Sequence, residues 1–120
     1  MKKQLASLLA YCMIAFIAIG SCVVFAETGN AVYYSDKFQG KKTANNEIFD
    51  QKELTAAHKK FAYGTMIKVT NLENNQSVVV KINDRMARHN RNIIDVSKRA
   101  AEELGFVKKG RTRVSLELVR

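Results

Sequence analysis

The 120-residue chain contains no proline, and its only two cysteines, Cys12 and Cys22, fall within the first 22 residues. Beyond Cys22 there is no thiol to serve as a nucleophile and no pair to form a disulfide. The chain has two histidines, and no Cys or His spacing suggests a metal site. A G-x-S-x-G nucleophile elbow is missing, and so are phosphate-cradling glycine loops. These absences exclude thiol, serine-elbow and nucleotide chemistry, so no metal and no cofactor is expected.

Charge is also missing from one long stretch, Gln4 to Ala26. It follows the basic start Met1-Lys2-Lys3 and ends in small residues before Glu27, the pattern of a secretory signal peptide. Val24-Phe25-Ala26 fits cleavage after Ala26, giving a leader of 1–26 and a domain of 27–120. A competing site is Ile19-Gly20-Ser21-Cys22, which resembles a lipobox and would lipidate Cys22 and attach the domain to a membrane. An uncleaved anchor is a third possibility, since the run is just long enough to span a bilayer. Loss of Lys2 and Lys3 leaves 18 cations against 11 acids, a net charge of +7. In a cytosolic protein this excess would suggest nucleic acid. Export removes that partner and leaves anionic cell-wall glycans and lipid head groups.

With under a hundred residues and no disulfide, the exported part must form one well-packed domain. Thr28 to Ala31 reads as a short flexible entry, and Val32 to Ser35 as a first strand. Asp36 to Asn46 has loop chemistry. Leu54 to His58 reads either as a short strand or as a helical turn. Met66–Thr70 and Ser77–Asn83 form a hairpin about the Asn71–Asn75 turn. A basic loop, Met86 to Asn92, precedes a short apolar strand at Ile93–Val96. Ser97 is placed to N-cap a helix over Lys98–Leu104, which Gly105 stops. Val114, Leu116 and Leu118 alternate with polar residues in a last strand. Several short strands without proline suggest a small closed β-barrel, in which closure removes exposed edges.

The apolar run Val78-Val79-Val80-Lys81-Ile82 stops at the polar trio Asn83, Asp84 and Arg85. A carboxylate at a strand end is held firmly while its oxygens stay accessible, as acid/base chemistry requires. Asp84 reads equally well as a turn opener. Glu47 and His58 also sit at the ends of short ordered stretches. The three could form an acid/base group tuned by like charge and partial burial. Taken singly, Glu47 could be a solvated loop acid and His58 a hydrogen-bonded structural histidine.

Nine segments resemble, in order, the RlpA family of bacterial cell-envelope proteins. They are Ala31–Ser35, Phe38–Asn45, Glu47–Asp50, Leu54–Lys59, Tyr63–Thr65, Val69–Leu72, Ser77–Arg85, Ile93–Ser97 and Ala100–Gly105. The resemblance implies a mainly β fold, a six-stranded double-psi β-barrel related to the expansin barrel, with one or two short helices. It also implies an endolytic lytic transglycosylase acting on peptidoglycan strands already stripped of stem peptides. In such enzymes the muramic 6-hydroxyl attacks its own anomeric carbon, so a 1,6-anhydro end forms without water. The family pattern makes Asp84 the acid/base, with Glu47 and His58 orienting substrate or tuning Asp84. It gives Asn83, Arg85, Tyr34, Thr43 and Asn45 as substrate-binding residues, and a monomer is expected. Two departures stand out. Met86-Ala87 replaces the family's Gly-Pro after Asn-Asp-Arg, and Asn46 replaces a Gly, though Asn also tolerates positive φ. The altered loop keeps open a non-catalytic glycan-binding or expansin-like wall-loosening module, and an envelope scaffold is the weakest alternative.

Overall fold

Alternation decides most of the strands in the computed structural model, which describes residues 26–119. Strand β3 (Met66–Asn71) buries Ile67, Val69 and Asn71, and β4 (Ser77–Arg85) buries Val78, Val80 and Ile82. Period-two side chains place these residues on one face. β5 (Ile94–Val96) adds Ile94 and Val96, and β6 (Thr112–Leu118) adds Val114 and Leu116. The sheet closes in the order β1-β5-β2-β4-β3-β6, with β1 spanning Ala26–Tyr33 and β2 Thr55–His58. β1–β5 and β2–β4 are parallel and the remaining neighbours antiparallel, which is the six-stranded double-psi barrel expected.

The entry at Thr28–Ala31 is not flexible. Those residues lie within β1, and Ala26–Ala31 pair antiparallel with Thr112–Glu117 of β6. The stretch is polar and Gly-containing, so its own sequence gives no strand signal; barrel closure supplies one. Val32 and Tyr33 end β1, whereas Ser35 has left the strand and caps a 3-10 turn at Asp36–Phe38. The ambiguous Leu54–His58 stretch resolves as β2, buried at every position because the sheet and an overlying segment cover both its faces.

One helix, α1 (Lys98–Leu104), completes the core with Ala100, Ala101 and Leu104. Ser97 caps its start, and Gly105, at φ 79°, bonds back to Ala101 and Glu102 as the left-handed C-cap. Buried Asn71 donates to the Leu104 carbonyl at 2.8 Å and accepts from Thr112, so one amide ties the helix end to two strands. A smaller cluster of Tyr34, Phe49, Ala57 and Met86 packs separately from this core. Phe49 stacks on Tyr34 with ring centroids 4.2 Å apart, which holds the 34–51 segment against β2. Residues 1–25, with the lipobox-like Ile19–Cys22, lie outside the described residues, whereas the expected cleavage point after Ala26 falls at the start of β1. Among the described residues, no helix is long and apolar enough to cross a membrane.

Candidate active site

The end of β4 departs from simple alternation. Ala56 of β2 pairs with Ile82, but Ala57 pairs with Asp84, so Asn83 is an extra residue in the ladder. Such a bulge re-aims the side chains that follow it. As a result Ile82 and Asn83 are both buried although adjacent.

Three donors converge on Asp84. Its Oδ2 accepts from the Tyr34 hydroxyl at 2.6 Å, and its Oδ1 accepts from the backbone amides of Ala44 at 2.8 Å and Arg85 at 2.9 Å. The carboxylate is therefore held in one orientation by groups from three separate segments. Burial pushes the Tyr34 phenol well above its usual range, and the bond to Asp84 adds to this, so Tyr34 remains a donor.

Asp95 is the neighbour that sequence reasoning did not single out. It lies in β5 opposite Ala57, on the other side of β2 from Asp84. Burial first, and then the charge of Asp84, push its carboxyl from 3.8 up to about 7. Its Oδ1 is buried and has no hydrogen-bond partner. The one available signal was an acid flanked by Ile94 and Val96 in an otherwise apolar strand.

Glu47 lies beside this pair but has its own partners. It accepts from Asn83 Nδ2 at 3.1 Å and from Lys81 Nζ at 3.0 Å. The Asn83 bond, followed by Lys81, holds its carboxyl below the usual range. Thr43 donates to Asn45 Oδ1 at 2.6 Å, and the same oxygen accepts from the Glu47 amide. Asn46 turns the chain between them at φ 72°, as its tolerance of positive φ allows. Thr43 and Asn45 thus shape the loop that delivers the Ala44 amide to Asp84.

His58 faces elsewhere. Its Nδ1 accepts from the amides of Lys60 and Phe61, which leaves the ring proton on Nε2, 3.0 Å from Glu27 Oε1. Burial lowers the affinity of the ring for a second proton more than Glu27 raises it, so the imidazole is the neutral donor in this contact. Both ring nitrogens are thereby engaged away from Asp84 and Glu47, and the three residues do not form one hydrogen-bonded group. Arg85 donates to the carbonyls of His58 and Phe61 while its guanidinium lies 4.5 Å from the exposed ring of Tyr63. Among the described residues, no group of three or more His, Cys, Asp or Glu could hold a metal.

Known proteins share both the sequence and the barrel. Over 95 residues the chain is 45% identical to the endolytic peptidoglycan transglycosylase RlpA of Neisseria meningitidis serogroup A, covering 79% of this chain and 40% of that protein. It is 49% identical to the protein of the same name from Rickettsia bellii over 96 residues, covering 78% and 42%. The chain thus spans about two fifths of these relatives' length. Among solved structures, the Streptomyces papain inhibitor superposes with a TM-score of 0.65 at 21% identity, covering 80% of this chain and 96% of that one. The apo expansin of Clavibacter michiganensis gives 0.64 at 24%, covering 80% and 51%. A family model described as lytic transglycolase matches residues 26–116, and the chain belongs to that RlpA-like family.

Proposed function

We propose that the protein is an endolytic lytic transglycosylase of peptidoglycan glycan, with Asp84 as its acid/base. The observation that carries this reading is the orientation of Asp84 by Tyr34, Ala44 and Arg85 beside an Asp95 whose carboxyl burial pushes up to about 7. A carboxyl raised to about 7, by burial first and then by the Asp84 charge, still carries its proton in part of the molecules at neutral pH. The pair can protonate the leaving glycosidic oxygen and then accept the proton of the muramic 6-hydroxyl. The bond from the anomeric carbon to the leaving oxygen breaks, and a bond from the same carbon to O6 forms. The proton lost by O6 is balanced by the one gained by the leaving group, and no water is consumed. This scheme needs no protein nucleophile, unlike the two-carboxylate scheme of retaining glycosidases.

Glu47 positions Asn83 and Lys81 along the rim, and Thr43 and Asn45 hold the Ala44 amide. Arg85 and Tyr63 form an aromatic–guanidinium edge suited to a sugar face. His58 acts through the backbone that carries Arg85. Removal of the leader after Ala26, or lipidation at Cys22, would place the domain in the cell envelope where the polymer lies. Release of soluble fragments from peptide-stripped glycan by the protein, lost in Asp84→Asn with an unchanged melting profile, tests the assignment. Equal release by both proteins would overturn it. The second reading, a non-catalytic wall-binding module, is favoured by the buried Met86 in place of the family's Gly-Pro; binding without any release of fragments would select it.

A further inference from the structure

We propose that a basic pocket beyond the end of β2 binds carboxylate groups carried by the glycan strand, either the lactyl group or the stem peptide. The proposal rests on the peptidoglycan reading and names which chemistry of the substrate this chain recognises beyond the sugar ring. The pocket, about 570 Å³, is lined by Glu27, Lys59, Lys60 and Arg88, three cations against one carboxylate. The single acid is already engaged, since Glu27 accepts the His58 Nε2–H at 3.0 Å. Among the described residues, none of the ion pairs involves Lys60 or Arg88. Lys59 gives one ammonium N–H to the Asn90 carbonyl, which fixes its position and leaves further donors.

The pocket lies beyond the end of β2, where Glu27 meets the His58 ring. Lys60 is three residues beyond Ala57, the register partner of both Asp84 and Asp95, so the Cα atoms of Lys60 and Ala57 are at most about 11 Å apart. The 86–92 loop links the two places. Met86 is buried in the cluster with Tyr34 and Ala57, its amide bonded to the His58 carbonyl, while Arg88 reaches the pocket wall. A polymer running from Asp84 past the end of β2 would bring its side substituents toward Lys60 and Arg88. Arg88 presents a planar fork that matches a carboxylate, and Lys60 a compact charge. The loop that departs from the family's Gly-Pro is the one that supplies Arg88.

The test uses the Asp84→Asn protein, which leaves strands intact, and calorimetric titration at low salt with three soluble glycans. One bears stem peptides, one is peptide-stripped with free lactyl carboxylates, and one is stripped with those carboxylates amidated. Adding Lys60→Glu and Arg88→Glu is expected to weaken binding of the carboxylate-bearing strands at least tenfold and to leave the amidated strand unchanged. A larger loss on the peptide-bearing strand locates the bound carboxylate on the peptide, and a larger loss on the stripped strand locates it on the lactyl group, which the stem peptide otherwise ties up as an amide. The Gln pair should give a smaller loss of the same pattern, and unchanged melting curves show that the variants fold. An equal loss on all three glycans, or an equal loss from reversing the exposed Lys68 and Lys108 instead, would overturn the pocket and leave the glycan reading standing. Absence of binding to any glycan would overturn both.

Discussion

Asp84 and Asp95 flank the same residue, Ala57 of β2: one pairs with it from the parallel neighbour β4, the other from the antiparallel neighbour β5. The bulge at Asn83 brings this about, because without the extra residue Asn83 would occupy the register position opposite Ala57. Acidity at the site is thus a product of topology as much as of residue type.

Asp95 holds its proton more tightly in the folded chain than in the unfolded one, about 7 against 3.8. Its contribution to stability is therefore complete below about pH 4 and is lost as the pH rises through 7. Asp95→Asn should lie close to the parent at pH 4 and become relatively more stable above pH 7, by on the order of 2–4 kcal/mol. Urea denaturation across that range measures this. Activity of the parent should decline as the pH rises past 7, and the variant should lack that limb because its amide cannot titrate.

Removing the Tyr34 hydroxyl deletes one of the donors on Asp84 but keeps the ring stacked on Phe49. Tyr34→Phe should cost about 1 kcal/mol of stability and lower turnover about tenfold. Asp84→Asn should lower turnover by about 10²–10⁴, the range for loss of a general acid/base. Rates on glycan, set beside melting curves, separate the two effects. A Tyr34→Phe protein with parental turnover would deny the orienting role of the hydroxyl.

Glu47 is predicted to position groups rather than to transfer protons, since its carboxyl is held below the usual range by Asn83 and Lys81. Glu47→Gln keeps an acceptor for Asn83 Nδ2 and should retain most of the turnover. Glu47→Ala leaves that buried amide without its partner and should cost about 1–3 kcal/mol, with a larger loss of rate. Equal loss in the two variants would make the charge itself essential.

For His58 the sign is opposite to that of Asp95. Burial lowers its proton affinity from 6.5, so the unfolded chain takes the proton first. Its contribution is present above about pH 6.5 and falls away as the pH drops through that window. His58→Gln should be destabilised at pH 7.5, and the gap to the parent should narrow by pH 5. A gap that widens on acidification would mean that a charged imidazole pairs with Glu27 in the folded chain.

The barrel was legible where one face of a strand is apolar, as in Val78, Val80 and Ile82, and where caps are explicit, as in Ser97 and Gly105. β1 was not, since Glu27 to Asn30 carry no apolar stripe and are strand only because β6 needs a partner. Of the site, Asp84 and its rim showed in the abrupt change after Ile82. The family pattern grouped His58 with Asp84, but spacing along the chain cannot say which way a ring points. Asp95 went unnoticed because its character comes from burial beside Asp84, a long-range contact.

The most direct measurement is mass spectrometry of the soluble products after incubation of the protein with peptide-stripped peptidoglycan. Fragments ending in 1,6-anhydromuramic acid are expected, formed by the protein and not by Asp84→Asn. Reducing ends, which require water as the nucleophile, or bound glycan with no fragments at all, would contradict the transglycosylase assignment.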